Sequence, residues 1–81
     1  MGWQLFDWSS APPYQQILDY QGGTQPIYIG WATPGVATSR DAWKIRKLTY
    51  DGNGNVTQIQ YASGDVGFTQ IWDNRTTITY K

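Results

Sequence analysis

Ala42-Trp43-Lys44-Ile45-Arg46-Lys47-Leu48-Thr49-Tyr50-Asp51-Gly52-Asn53-Gly54-Asn55-Val56-Thr57-Gln58-Ile59-Gln60-Tyr61 is the stretch that decides the fold. Its centre, Asp51 to Asn55, holds residue types that tolerate positive φ and hydrogen-bond their own backbone, so it reads as a hairpin turn. After the turn, Thr57, Ile59 and Tyr61 alternate with Gln58 and Gln60, the period of two that marks a strand. Before it, Trp43 and Ile45 share one parity while Leu48 and Tyr50 share the other. A one-residue slip near Arg46-Lys47 would bring all four onto one apolar face, which predicts a β-bulge there.

Working outward, the same logic places further short strands. Tyr14 to Tyr20 ends at the turn Gln21-Gly22-Gly23, and Ile27, Ile29 and Trp31 alternate with Tyr28 and Gly30 up to Thr33-Pro34-Gly35. Beyond the hairpin, Ser63-Gly64-Asp65 turns the chain into a strand at Phe68 to Trp72. Asp73-Asn74-Arg75 then leads to a last strand carrying Thr76, Ile78 and Tyr80. Helical periodicity is nearly absent. The expectation is all-β: a small antiparallel barrel or sandwich of five or six short strands over residues 14–81, one domain.

Residues 1–13 read differently. Trp3, Phe6 and Trp8 precede Ser9-Ser10-Ala11-Pro12-Pro13, and the proline pair disfavours helix and ladder alike. This is an extended N-terminal arm whose aromatics are expected to pack on their own domain or on a partner.

Composition narrows the chemistry. The 81 residues include 5 Trp, 6 Tyr and 2 Phe but no Cys and no His, and all six acidic residues are Asp. Disulfides, thiolate nucleophiles, zinc-finger ligation and His-dependent catalysis are therefore excluded. A domain this small buries a modest share of its surface, about 60%. Without staples, self-association or docking on another protein is the expected remedy. Six basic residues balance the six acidic ones, a poor profile for nucleic acid. The positive charge is nonetheless clustered: Arg40, Lys44, Arg46 and Lys47 supply four of the six cations. That run reads as the solvated face of one strand or, more sharply, as a docking stripe for an acidic neighbour. No apolar run is long enough to span a bilayer, and the N-terminus lacks the pattern of a signal peptide.

Other candidate sites weigh lightly. Asp51, Asn53 and Asn55 are spaced like the first ligands of an EF-hand, but Val56 and Ala62 stand where that loop needs Gly and Glu, and a hairpin turn demands the same residues. Asn55-Val56-Thr57 and Asn74-Arg75-Thr76 match a glycosylation sequon by chance in a Thr-rich chain. Asp41, Asp65 and Asp73 lie at turns, where Asp caps backbone amides, so no acid–base pair emerges and no enzyme, cofactor or metal is expected. Trp31, beside a Pro-Gly turn, with Tyr28 nearby, is the best candidate for ligand stacking. Trp43 and Trp72 follow strand parity and read as core.

One set of stretches remains: Ile27-Tyr28-Ile29-Gly30, Ala32-Thr33-Pro34-Gly35-Val36-Ala37-Thr38-Ser39, Trp43-Lys44-Ile45-Arg46-Lys47, Asp51-Gly52-Asn53-Gly54-Asn55-Val56-Thr57, Tyr61-Ala62-Ser63-Gly64-Asp65 and Ile71-Trp72-Asp73-Asn74-Arg75. In these, from residue 26 to residue 80, the chain resembles short virion-associated proteins and appended domains of tailed bacteriophages. The resemblance implies a structural or accessory role in a virion assembled in the host cytoplasm, as a capsid decoration or a tail or neck attachment. It carries over no functional residues. Tyr50 to Thr57 also looks like the hairpin of bacterial YD repeats, in a single copy. The expected interface residues are Trp3, Phe6, Trp8, Lys44, Arg46 and Lys47, with virion proteins and further copies of the chain as partners. A carbohydrate-binding module using Trp31 is the alternative, and nucleic-acid binding through Lys44, Arg46 and Lys47 is a weaker one.

Overall fold

The computed structural model describes residues 14–81; the aromatic arm with Trp3, Phe6 and Trp8 lies outside the described residues. Four antiparallel strands, β1 (Gln15–Asp19), β2 (Tyr28–Ala32), β3 (Lys44–Tyr50) and β4 (Val56–Tyr61), form one sheet in sequence order. Each strand pairs with the next through a local connection, so β1 and β4 are edges and the sheet does not close into a barrel.

The turns form where short polar side chains take over backbone donors. Asp51 accepts hydrogen bonds from the backbone N–H groups of Asn53 and Asn55, both at 2.9 Å, and Gly54 adopts φ +85°. The Asp51 carboxylate is therefore the cap of a hairpin turn, as its neighbours suggested. The amides of Asn55 and Asn53 hold its pKa below the usual carboxylate range.

Two of the expected strands do not form. Over 68–72 and 76–80 the ladder shrinks to single bridges, Trp43 with Gln70 and Ala62 with Tyr80. Local turn chemistry is the reason. Asp65 accepts from the Gly67 N–H and the Thr69 hydroxyl, each at 2.7 Å. A 3-10 turn occupies Trp72–Asn74, and the Thr77 hydroxyl donates to the Asn74 carbonyl at 2.9 Å. These local bonds compete with pairing, and Asp, Asn and Thr are the residues that make them. Among the described residues the count is four strands, not five or six.

Residues 62–81 instead form an irregular cover over one face of the sheet. Trp43, Ile45, Tyr28, Ala32, Ala62 and Trp72 are buried there, with Ile17, Ile27, Val36, Ile78 and Tyr80 packed around them. The indoles of Trp43 and Trp72 lie 6.0 Å apart, and the Trp43 Nε1–H donates to the Ala37 carbonyl at 3.0 Å. Gly30 is what lets them seat. A Cβ at that position would stand 2.5 Å from Cε3 of Trp72 and 3.2 Å from Cε3 of Trp43. Arg75 closes the cover, pairing with Asp19 at 2.7 Å and lying 4.6 Å from the centre of the Trp72 ring.

Register settles which residues share a face. Gly30 pairs with Ile45 and Tyr28 with Lys47, so Ile45 and Lys47 point to the inner, covered face. Trp31 pairs with Lys44, Ile29 with Arg46, Leu48 with Ile59 and Arg46 with Tyr61, and these seven residues lie on the outer face, with Leu18 opposite Ile29. The expected bulge at Arg46-Lys47 is absent: pairing runs unbroken through both residues and shifts only between Thr49 and Tyr50. A slip there would bring Leu48 to the face of Ile45. No slip is needed, because the outer face has apolar residues of its own in Ile29, Leu48 and Ile59.

Candidate functional site

The outer face carries a cluster of aromatic rings and cations at the end where β2 leaves the sheet. Cross-strand pairing puts Trp31 beside Lys44 and Arg46 beside Tyr61. The Arg46 guanidinium lies 5.0 Å from the centre of the Trp31 ring and 5.3 Å from that of Tyr61. Its Nε–H donates to the Tyr61 hydroxyl at 3.0 Å. Lys44 sits 5.8 Å from the ring centres of both Tyr61 and Phe68. Tyr14, just before β1, meets Phe68 with ring centres 5.0 Å apart. Together Tyr14, Trp31, Lys44, Arg46 and Phe68 line an open pocket of about 260 Å³.

Each ring–cation contact contributes about 0.5–1 kcal/mol at an exposed site. The arrangement matters more for what it leaves available. Among the described residues the one ion pair is Asp19 with Arg75, so Lys44 and Arg46 face rings rather than carboxylates. Desolvation raises the Asp19 carboxyl, but the Gln21 backbone N–H, Arg75 and the Gln21 side chain outweigh it, and its pKa is lowered. Asp65 is likewise lowered by the Gly67 N–H and the Thr69 hydroxyl, so its charge serves its own turn. Among the described residues neither Lys44 nor Arg46 forms an ion pair.

Beyond the cluster the face stays apolar and open. Leu18 is 44% exposed and Ile59 50% exposed, with half-buried Ile29 and Leu48 between them. The whole surface is thus an aliphatic strip ending in a cationic, aromatic corner. It offers no nucleophile with a base beside it. It offers desolvation energy, ring faces and two cations with spare hydrogen-bond donors, which suits an apolar partner bearing carboxylates.

Of the residues singled out from sequence, Trp31, Lys44 and Arg46 come together on this face. Tyr28 and Lys47 do not. Tyr28 is 8% exposed in the core, its ring 5.6 Å from that of Tyr80, and Lys47 lies over Tyr80 at 5.9 Å on the inner face. Strand parity is the physical cause: with pairing unbroken, 45 and 47 face inward while 44 and 46 face outward. Tyr28 is therefore no stacking platform, and Lys47 no part of an outward stripe. Burial, together with neighbouring Tyr28, raises the pKa of the Tyr80 hydroxyl, which donates to the Arg75 carbonyl at 2.8 Å. Trp3, Phe6 and Trp8 lie outside the described residues. Three members of the cluster escaped the sequence reading. Tyr14 and Tyr61 share parity with Leu18 and Ile59, a signal that was there to use. Phe68 sits on an irregular segment, where no period points to it.

No known protein family, curated protein or solved structure matches the chain.

Proposed function

We propose that this chain is a non-enzymatic structural or accessory component of a tailed-phage virion, a capsid decoration or a tail or neck attachment, that docks through the outer face of its sheet. The observation that carries the docking part is the pairing of an exposed aliphatic strip with two cations that have no carboxylate partner among the described residues. The virion part rests on the resemblance over residues 26–80. Lys44 and Arg46 receive carboxylates of the partner, Trp31, Tyr61 and Phe68 supply ring faces, and the arm with Trp3, Phe6 and Trp8 adds a second anchor. The partner is a virion protein, and further copies of the chain assemble beside it.

Co-sedimentation with purified particles of a phage that encodes the chain tests this reading. The wild-type chain should pellet with the particle. The double variant Lys44→Glu/Arg46→Glu should bind tenfold or more weakly, because a desolvated charge contact that is lost costs about 2–5 kcal/mol. A wild-type chain that stays in the supernatant, or a double variant that pellets equally well, refutes it.

A second reading is favoured by the pocket itself, whose three rings and two cations would hold an acidic sugar of a host-surface glycan. A neutral sugar fits less well, since the Arg46 guanidinium already stands over the Trp31 ring. A glycan array with Trp31→Ala as control separates this reading from the first. Hits on acidic glycans that vanish with the substitution would favour it.

A further inference from the structure

We infer that two copies of this chain pair edge to edge through β1, antiparallel and centred on Ile17, so that their sheets join into one. The inference rests on the reading that further copies assemble beside one another, and it adds which edge they use.

Hydrogen-bond parity supplies the first argument. Backbone groups of successive strand residues point to alternate sides. The Ala62 N–H donates to the Ile45 carbonyl at 3.0 Å, so Ile45 faces β4 while Lys44 and Arg46 face β2. Their partners Trp31 and Ile29 face β3, which leaves Tyr28, Gly30 and Ala32 to bond β1 through Asp19, Ile17 and Gln15. The Asp19 carbonyl agrees, accepting from the Ile27 N–H at 2.8 Å on that side. Gln16 and Leu18 are left with N–H and C=O aimed away from the sheet. Both residues are exposed, and among the described residues no strand pairs with that side of β1.

The two edges are not equally available. Edges of soluble sheets are usually blunted by lysine, proline, a bulge or a covering segment. Over Gln15–Asp19 the register with β2 is unbroken, and the one charge, Asp19, is already tied to Arg75 and Gln21. At the other edge, Tyr61 and Lys81 exchange backbone bonds at 3.1 Å and the Ser63 N–H donates to the Thr79 carbonyl. A second strand laid along β4 would collide with residues 79–81. Among the described residues β1 is therefore the edge open along its whole strand.

Register follows from symmetry. A two-fold pair must set outward residues against outward residues, so its axis falls at Gln16, Ile17 or Leu18. Centring on Leu18 draws in Tyr20, whose carbonyl already accepts from the Gly23 N–H at 2.8 Å, and centring on Gln16 draws in Tyr14, which precedes the strand. Centring on Ile17 keeps every bond within β1. The Gln16 N–H then donates to the carbonyl of Leu18 in the second copy and its own carbonyl accepts in return, and the two-fold axis repeats the exchange. Ile17 faces its own copy in a non-hydrogen-bonded pair, with Cα atoms about 4.5 Å apart. Asp19 stands opposite Gln15, so no like charges meet. Leu18, 44% exposed, gains cover, and the aliphatic strip from Leu18 to Ile59 continues into the second copy. The two outer faces lie on one side of the joined sheet, where a particle with repeated sites can hold both at once.

The test uses the full chain alone. Sedimentation velocity from about 10 μM to 1 mM should show the monomer converting to dimer with concentration, as a short strand pair implies weak association. In a mixture of carbon-13-labelled and unlabelled chains, an isotope-filtered nuclear Overhauser contact is expected between the Hα protons of Ile17 in the two copies. A chain that stays monomeric throughout overturns the pairing. So does a dimer without the Ile17 contact, whose interface would lie elsewhere, the outer face included. Proline suits an edge position whose N–H points outward. Gln16→Pro should therefore keep the amide shifts of β2 to β4 and weaken dimerisation about tenfold or more, since two hydrogen bonds are lost. Undiminished dimerisation of that variant, or loss of its fold, would overturn the outward placement of the Gln16 N–H and the pairing with it. Dimerisation is read without particles, so its failure and the failure of particle binding are told apart.

Discussion

Gly30→Ala adds one methyl group to the centre of the sheet and should destabilise the fold measurably. The new Cβ would stand 2.5 and 2.7 Å from Cε3 and Cζ3 of Trp72 and 3.2 Å from Cε3 of Trp43. Neither indole is free to retreat. Trp43 is fully buried and anchored through its Nε1–H to Ala37, and Trp72 is 4% exposed under the Arg75 guanidinium. Overpacking of this kind costs about 1–3 kcal/mol. Against it, replacing Gly by Ala in a strand regains about 0.5–1 kcal/mol of backbone entropy. The net expectation is a loss of about 1–2 kcal/mol, with Tm lower by roughly 5–15 °C for a domain of this size.

Thermal and urea melts followed by near-ultraviolet circular dichroism, which reports the buried indoles, give the measurement. A double-mutant cycle makes it specific. The offending atoms belong to the six-membered ring of Trp72, and Phe at that position has a shorter reach. Trp72→Phe alone should destabilise by opening space above Gly30. In the Gly30→Ala background the same change should cost less, with a coupling of about 0.5–3 kcal/mol. A Gly30→Ala chain as stable as wild type, or losses that simply add, would refute the claim that glycine is there to admit the indole.

The other predictions concern charge, turn geometry and parity. Asp19, whose folded pKa is lowered, should stabilise the fold at neutral pH, with the contribution complete above about pH 4 and lost as pH falls through the depressed folded value. The Tm gap between wild type and Asp19→Asn should therefore be open at pH 7 and narrow as the pH falls below about 4; a gap independent of pH would contradict the pairing with Arg75. Gly54→Ala places a side chain at φ +85° and should lower stability by about 1 kcal/mol in urea melts. Lys47→Ala and Arg46→Ala should part company. The first removes an ammonium held over the Tyr80 ring on the inner face and should leave particle binding intact; the second removes the guanidinium between Trp31 and Tyr61 and should weaken particle binding. Equal losses of particle binding in the two variants would count against the assignment of faces.

How far the sequence could be read follows from which signals are local. The hairpin at 42–61 was legible because its turn residues and the alternation after it act within a few residues of each other. Trp43 was legible as core for the same reason, sharing parity with Ile45; Trp72 is core too, but from a 3-10 turn rather than from the strand parity expected of it. The assumption of a single apolar face puts the bulge at Arg46-Lys47, whereas this sheet has two apolar faces, and parity alone cannot say which face Leu48 serves. That same assumption hid the split between Lys47 and its neighbours Lys44 and Arg46. The strands expected after residue 65 failed because Asp65, Asn74 and Thr77 satisfy backbone groups locally, and such competition is weighed only when the geometry is known. At the candidate site, Trp31, Lys44 and Arg46 were visible as exposed residue types, but Phe68 reaches them from an irregular segment far along the chain.

An open sheet with apolar residues on both faces has to be completed from somewhere, and the fold restricts where. At the β4 edge, the Tyr61 N–H and carbonyl are already bonded to Lys81, and the Ser63 N–H to Thr79, so the final residues occupy that end of the ladder. Growth by adding strands is thus hindered at that end of the β4 edge. The inner face is already closed by residues 62–81, whose Trp72, Ile78 and Tyr80 complete the core. Of the two faces, the outer one remains, where closure must come by packing flat against Leu18, Ile29, Leu48 and Ile59, with charge matched at Lys44 and Arg46. A partner of the kind proposed would have to present a broad apolar surface carrying few acidic groups. The proposed docking is accordingly face-on, governed by apolar burial and sensitive to Arg46.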